Sequence, residues 1–318
     1  MYMLQIRPKL NPEKKKRKIF IKEDAPLYLM ALPTVIYLII FCYLPMAGLI
    51  MAFQNLNITK GIFGSPFVGF KNFEFLFSTT DAWVITRNTV CYNLVFIVVN
   101  LIISICMALM LSSLRSAIYA KTMQTVYMMP YFLSYAVIAI VVNAFLDRDD
   151  GLVNAIIKMT GDPGKTNWYH QAGLWPPLLV FVNAWKGVGY QTVLYLAVIA
   201  GISTDYYEAA VLDGATKFQQ ARYITIPHLR YIVGISLILS MSHIFRGDFG
   251  LFFTVPMDEG KIYAVTDVID TYIYRALTYL NNVGMSTAAG LYQSVVGFIL
   301  VLIVNRIVNR IDPDSAMF

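Results

Sequence analysis

Five stretches of this chain run for more than twenty residues with no charged side chain, or with only one: 27–53, 89–114, 122–146, 172–203 and 283–305. A hydrocarbon core about 30 Å thick is crossed by roughly 20 helical residues. Within it every backbone N–H and C=O must find a partner inside the protein, which a helix provides from its own segment. Such runs therefore fold as membrane-spanning helices. A sixth run, 231–245, is too short alone, but apolar character resumes at 249–255 beyond Arg246 and Asp248. With this span included, the reading is an all-α membrane protein of about six transmembrane helices. Only 14% of the residues are charged, against about a quarter in soluble domains, so lipid is the expected solvent of most of the chain.

Six spans leave both termini on one side. Of the 25 Lys and Arg residues, fifteen fall on the terminus side and nine on the other, and Lys186 lies inside the fourth span. Cytoplasmic segments carry the excess of positive charge, so both termini are expected in the cytoplasm of a multi-pass membrane protein. The parse is a basic N-terminal segment, 1–26, a membrane domain, 27–305, and a short tail, 306–318. The run 14–18 is Lys-Lys-Lys-Arg-Lys. It serves as a topology signal that also meets anionic lipid, which leaves no reason to expect a nucleic-acid partner.

Several chemistries are excluded. Cys42, Cys91 and Cys106 lie in apolar runs without CxxC spacing, which gives neither a disulfide framework nor a zinc site. His170, His228 and His243 have no HExxH arrangement, so no metal is expected. The segment Gly161-Asp-Pro-Gly-Lys-Thr166 imitates the end of a phosphate-binding loop, but Met159 stands where that loop needs its first glycine.

The most informative segment connects the fourth and fifth spans. Residues 204–230 read as two short helices joined by a tight turn. Asp205 with Glu208 and Thr216 with Gln219 have capping-box spacing. Gly214 stands where a left-handed residue would end the first helix, and Pro227 is expected to close the second before the membrane. Helices this short are marginal alone, so the loop needs something to pack on.

Glu208-Ala209-Ala210, with Gly214 four residues on and Ile226-Pro227 at the end, resembles the EAA loop of permease subunits in bacterial binding-protein-dependent ABC importers. The segments 68–73, Asn88-Thr89, 248–253, 266–275 and 290–294 are similar to the carbohydrate group of that family, in particular its oligo- and polysaccharide, alginate-transporter-like branch. The resemblance implies the type I importer permease fold, with a cytoplasmic coupling-helix loop on which Glu208, Ala209, Ala210, Asp213 and Gly214 dock onto an ATPase. It implies as partners a second homologous permease, two ABC ATPase subunits and an external solute-binding protein, with a saccharide as cargo. The chain itself would be no enzyme and hold no cofactor, since ATP and Mg would be bound by the ATPases. Another solute class, or a self-contained secondary transporter, are the alternative readings.

A cation inside a membrane usually faces a protein interior or a water-filled cavity. Lys186 lies among Asn183, Trp185, Tyr190 and Gln191, a mixture of donors and aromatic faces suited to a sugar. Asn183, Trp185, Lys186 and Tyr190, joined by Arg246 near the end of the fifth span, are the expected substrate path. Two cations on that path point to an acidic saccharide such as a uronate oligomer. The competing reading pairs Lys186 with a neighbouring helix and Arg246 with Asp248. Asn93, Asn100 and Asn143 are expected to bond helices together.

Overall fold

The computed structural model describes residues 25–74, 78–114, 116–161 and 165–311. The basic run 14–18, Arg115, the middle of the 161–166 segment and the tail beyond residue 311 lie outside them. The chain divides into two compact units, Met1–Leu49 and Ile50–Phe318.

Helix α1, Ala25–Leu38, continues as a π turn and a 3-10 segment, giving an apolar helical stretch from Pro26 to Phe53. In the second unit α2 spans Thr80–Ser112, α3 Ala117–Met128, α4 Tyr135–Leu146 and α5 Leu152–Met159. Then come α6, Trp175–Ala200, α7, Thr204–Leu212, α8, Lys217–Ser242, α9, Ile269–Thr278, and α10, Val283–Ile311. Among the described residues, four helical stretches can cross a bilayer by length and composition, and up to six spans result when bent pairs are counted as one span each.

The packing within the second unit centres on α2 against α6. Tyr92, Phe96, Trp175, Leu179 and Val182 pack with Leu251 and Phe252 in one cluster, and Ala108, Tyr195, Ile199 and Leu229 form another further along. Gly189 of α6 lies against α3 so closely that a Cβ there would collide with the Tyr127 carbonyl oxygen. Small residues of this kind let membrane helices approach through their backbones. Outward faces carry large apolar side chains such as Met110, Phe181 and Phe298, suited to lipid or another apolar surface.

Three expectations are corrected. The run 122–146 is not one continuous helix: Ala117–Phe132 and Tyr135–Leu146 form a pair bent by 96°. Pro130 lies in a 3-10 turn before the break, and Ser134 caps the new helix by accepting from the Val137 N–H. Second, the fifth span gains its length from the other direction, running continuously from Lys217, while 250–254 forms a separate π turn. Third, Pro227 does not close a helix.

The physical reason for the last point recurs along the chain. A proline inside a helix lacks an N–H and its ring collides with the carbonyl four residues back. Here π turns at Ile39–Tyr43, Ala221–Thr225 and Gly250–Thr254 each end two residues before a proline, Pro45, Pro227 and Pro256. The Ile226 N–H donates to Ala221 O, five residues back. The wider turn relieves the clash, and helical structure continues past Pro45 and Pro227, whereas after Thr254 the chain turns.

Candidate functional site

The 204–230 loop lies where α2 and α6 end. Its first helix, α7, is bent 72° from α6. The expected box of Asp205 and Glu208 is not formed, because the helix starts two residues earlier than that spacing assumed: Ser203 is the cap, its Oγ accepting from the Asp205 N–H at 3.3 Å. The second box is present, with Gln219 N–H donating to Thr216 Oγ1 and Thr216 N–H to Gln219 Oε1. It opens α8 instead of a separate short helix.

Gly214 adopts φ +76°. Its N–H donates to Val211 O and that of Ala215 to Ala210 O, the paired bonds of a Schellman end. A side chain resists that backbone. Tyr207 Oη and Thr225 Oγ1, 2.9 Å apart, tie α7 to α8. Glu208, Ala209, Asp213 and Gly214 are exposed and Ala210 is half-buried. Val211 and Leu212 stand beside them, 57% and 89% exposed. The loop is thus a rigid elbow presenting a carboxylate among uncovered apolar side chains.

At mid-span, Lys186 Nζ donates to Tyr131 O at 2.8 Å and to Leu133 O at 2.6 Å, and lies over the rings of Tyr131 and Tyr135. Helix ends leave carbonyls without partners, and the ammonium from α6 supplies them at the 132–135 break. Asn183 Oδ1 accepts from Asn100 Nδ2 at 2.9 Å, directing it to α2. Trp185 and Tyr190 remain exposed, and Tyr190 stacks on Tyr131 with centroids 5.0 Å apart. Arg246 is exposed and, among the described residues, makes no ion pair. Asp248 takes the Tyr135 hydroxyl, not Arg246. Asn93 Nδ2 bonds Ile244 O and Arg246 O, so the amide expected to join helices ties α2 to the turn that follows α8.

Residues 100–313 match the family described as binding-protein-dependent transport system inner membrane component. The chain belongs to this family. It is 31% identical over 296 residues to protein LplB of Bacillus subtilis (strain 168), with 93% of this chain and 92% of the relative covered. It is also 31% identical to the polygalacturonan/rhamnogalacturonan transport system permease protein YteP of the same organism, over 95% of this chain and 94% of that protein. A solved bacterial ABC transporter involved in import of the acidic polysaccharide alginate superposes with a TM-score of 0.83 at 32% identity, covering 92% of this chain and 98% of its own. A second structure of a bacterial alginate ABC transporter, in complex with an alginate pentasaccharide-bound periplasmic protein, gives 0.81 at the same identity, over 92% and 96%. The chain is an ABC import permease of the type I fold and a multi-pass inner-membrane protein.

On the permease face opposite the 204–230 loop, residues that carried the family resemblance join in one network. Asn88 Nδ2 donates to Ala264 O and Asp267 O, and Thr89 Oγ1 accepts from the Ile269 N–H. Gln293 Nε2 donates to Phe245 O and Asp270 Oδ2, and Asp270 also receives the Gly247 N–H. Burial raises the Asp270 carboxyl above the ordinary carboxylate range, with these donors opposing it. Arg275 sits between two carboxylates, its Nη1 3.0 Å from Asp258 Oδ1 and its Nη2 paired with Asp267 Oδ2, beneath the Tyr263 ring. Burial, reinforced by the hydrogen bond to Asp258, pushes the Tyr263 hydroxyl up to about 12. Arg275, Asp258 and Asp267 were not among the expected site residues. Their signal was present, since three charges in an aromatic segment near a membrane are costly unless paired.

Proposed function

We propose that this permease carries an oligosaccharide bearing carboxylates, delivered by an external binding protein, and that Glu208, Ala209, Ala210, Asp213 and Gly214 couple it to two partner ATPases. The observation that carries the reading is the elbow at 203–216, a preorganised, uncovered surface at the end of the spans. Its likeness in sequence to EAA loops adds to this, and relatives named for a polygalacturonan and an alginate support the cargo class. A second, homologous permease would complete the path.

The mechanism is alternating access. ATP can shift the permease between outward and inward states only through differential affinity for the two, and here that difference is expressed at the elbow. Because α7 meets α6 at one end and α8 at the other, displacement of the elbow moves two spans together. No bond is made or broken by this chain, and nucleotide and Mg are left to the ATPases.

Along the path, the stacked Tyr131 and Tyr190 and the exposed Trp185 offer ring faces to a sugar. Lys186 has three donors, two of which serve carbonyls, leaving one for a passing carboxylate or hydroxyl. Arg246 is the better test of charge selection, because Lys186→Met would also leave two carbonyls unpaired. Arg246→Gln should reduce uptake of acidic oligosaccharides about 3- to 10-fold, the range of one ordinary hydrogen bond, since Arg246 is exposed and its charge is screened by solvent. Uptake of neutral oligosaccharides of equal length should change less than twofold. Equal loss of both classes, or loss of neither, would remove charge selection from Arg246.

The orientation has its own test. Cysteine labels at Lys217 should react only from the cytoplasmic side, and labels at Lys261 only from outside. The reverse pattern at Lys217 would separate the elbow from any ATPase.

A further inference from the structure

Beyond the fifth span the chain sets four aromatic rings against one another. Phe249 stacks on Phe253 with centroids 4.8 Å apart and planes 15° from parallel. Tyr274 of α9 meets both, at 5.0 Å and 4.9 Å, and Tyr279 closes edge-on against Tyr274 at 6.3 Å. Stacked and edge-to-face contacts of this kind fix the orientation of each ring. The cluster is nevertheless uncovered: Phe249, Tyr274 and Tyr279 are 36%, 37% and 59% exposed, and Phe253 is half-buried.

One end of the cluster is braced by a strained turn. Met257 and Asp258 adopt φ 55° and 48°, a backbone that persists away from glycine only where the surroundings over-determine it. Asp258 supplies the restraint, its carboxylate accepting from Tyr263 Oη at 2.8 Å, Arg275 Nη1 at 3.0 Å and Tyr279 Oη at 3.1 Å. The other end leads to the break between α3 and α4. Asp248, the neighbour of Phe249, accepts the Tyr135 hydroxyl at 2.5 Å. Lys186 Nζ stands 5.2 Å from the centre of the Tyr135 ring and 5.6 Å from that of Tyr131, on which Tyr190 stacks. A line of contacting aromatic residues, joined through Asp248 and Lys186, thus runs from Tyr190 at mid-span to Tyr279 at the end opposite the elbow.

Lipid contact does not account for this choice of residues. A lipid-facing surface accepts apolar side chains of any shape, as the outward side of α10 shows with Phe298, Ile299 and Leu302. Interfacial tyrosines reach the headgroups one by one and have no need of mutual stacking. Here every member is aromatic, two carry hydroxyls, and the Asp258 carboxylate bonds one of those hydroxyls. The C–H face of a pyranose covers an aromatic ring while its rim hydroxyls both donate and accept. A sugar therefore meets the flat rings and their polar rim together.

We propose that Phe249, Phe253 and Tyr274 form a stacking subsite for one sugar ring of the cargo, the entry of an aromatic track that continues through Tyr135 and Tyr131 to Tyr190. The proposal rests on the saccharide reading above and adds where the permease first meets the sugar. It also gives a reason for an oligomeric cargo, since linked units engage more than one ring of the track at once.

The transporter, purified in nanodiscs with the subunits that co-purify, is probed by saturation-transfer NMR with maltopentaose, with the galacturonate pentamer and with the two monomers, binding protein omitted. Uptake of both pentamers is measured in proteoliposomes with binding protein present. At least one pentamer is expected to bind more tightly than its monomer. Phe249→Leu and Tyr274→Leu keep apolar bulk but lose a ring face, and each should weaken that affinity about 3- to 10-fold. Phe249→Tyr and Tyr274→Phe keep the ring and should stay within twofold. Parent-level co-purification of the other subunits shows that the variants are folded. Leucine variants that bind as the parent does overturn the proposal and make the rings a lipid-facing belt. Equal loss in the ring-preserving variants overturns it in favour of a packing role, and equal affinity of the parent for pentamers and monomers removes the track. Failure of the parent to take up either pentamer defeats the saccharide reading itself, whereas uptake by the parent with indifferent leucine variants removes the subsite alone.

Discussion

Glu208→Lys is expected to leave the permease inserted and folded while lowering transport and binding-protein-stimulated ATP hydrolysis at least about tenfold. The tolerance of the fold follows from the structure of the elbow. Glu208 is exposed and, among the described residues, has no ion-pair partner. The cap of α7 is Ser203, so the substitution removes no capping bond. The functional loss follows from the opposite argument: once docking buries the carboxylate in a hydrogen-bonded charge pair, removing or reversing it costs roughly 2–5 kcal/mol, where 1.4 kcal/mol is already a factor of ten. Gly214→Val should act on the same surface by another route, because a β-branched residue is strained at φ +76°. That variant should lose co-purifying ATPase together with the conformation of the turn. Normal stimulated hydrolysis in Glu208→Lys, with normal assembly, would take the glutamate out of the coupling surface.

The spans were legible in the sequence because a bilayer imposes length and the absence of charge, and both can be counted. Gly214 and the box of Thr216 with Gln219 were legible because local backbone chemistry determines them. What escaped was set by groups far away in the chain. The 122–146 run carries no charge at its break, and the bond donor that makes the break tolerable, Lys186, comes from a helix more than fifty residues on. For the same reason Lys186 could be singled out as an unusual cation, but its use on two carbonyls could not be read. Pro227 was misjudged because the rule that proline ends a helix takes no account of the π turn before it. The network opposite the elbow escaped because its bonds join residues such as Asn88 and Asp267, which only the packing of α2 brings together.

Arg275→Met should produce the largest stability loss, about 3–5 kcal/mol, the usual consequence of removing one member of a buried ion pair. Arg275, Asp258 and Asp267 have side chains only 12%, 14% and 10% exposed, so the variant leaves two carboxylates facing each other with little water. The pH dependence gives the test its sign. Burial holds the Asp267 carboxyl above its ordinary range even in the intact protein, against the lowering effect of the Arg275 charge. An acid whose folded value is raised binds its proton more readily folded than unfolded, so its effect on stability worsens as pH climbs through that interval and is relieved as pH falls. Without Arg275 the opposing charge is gone and the interval widens upward. The thermal inactivation midpoint of Arg275→Met should therefore lie well below that of the parent at pH 7.5 and approach it at pH 5. Adding Asp267→Asn should recover part of the loss at pH 7.5, because the amide carries no charge to bury. Arg275→Lys should fall between, since a single ammonium cannot reach both carboxylates with the fork of a guanidinium. A deficit that is unchanged or larger at pH 5 would show that Arg275 acts through its packing beneath Tyr263 instead of through charge.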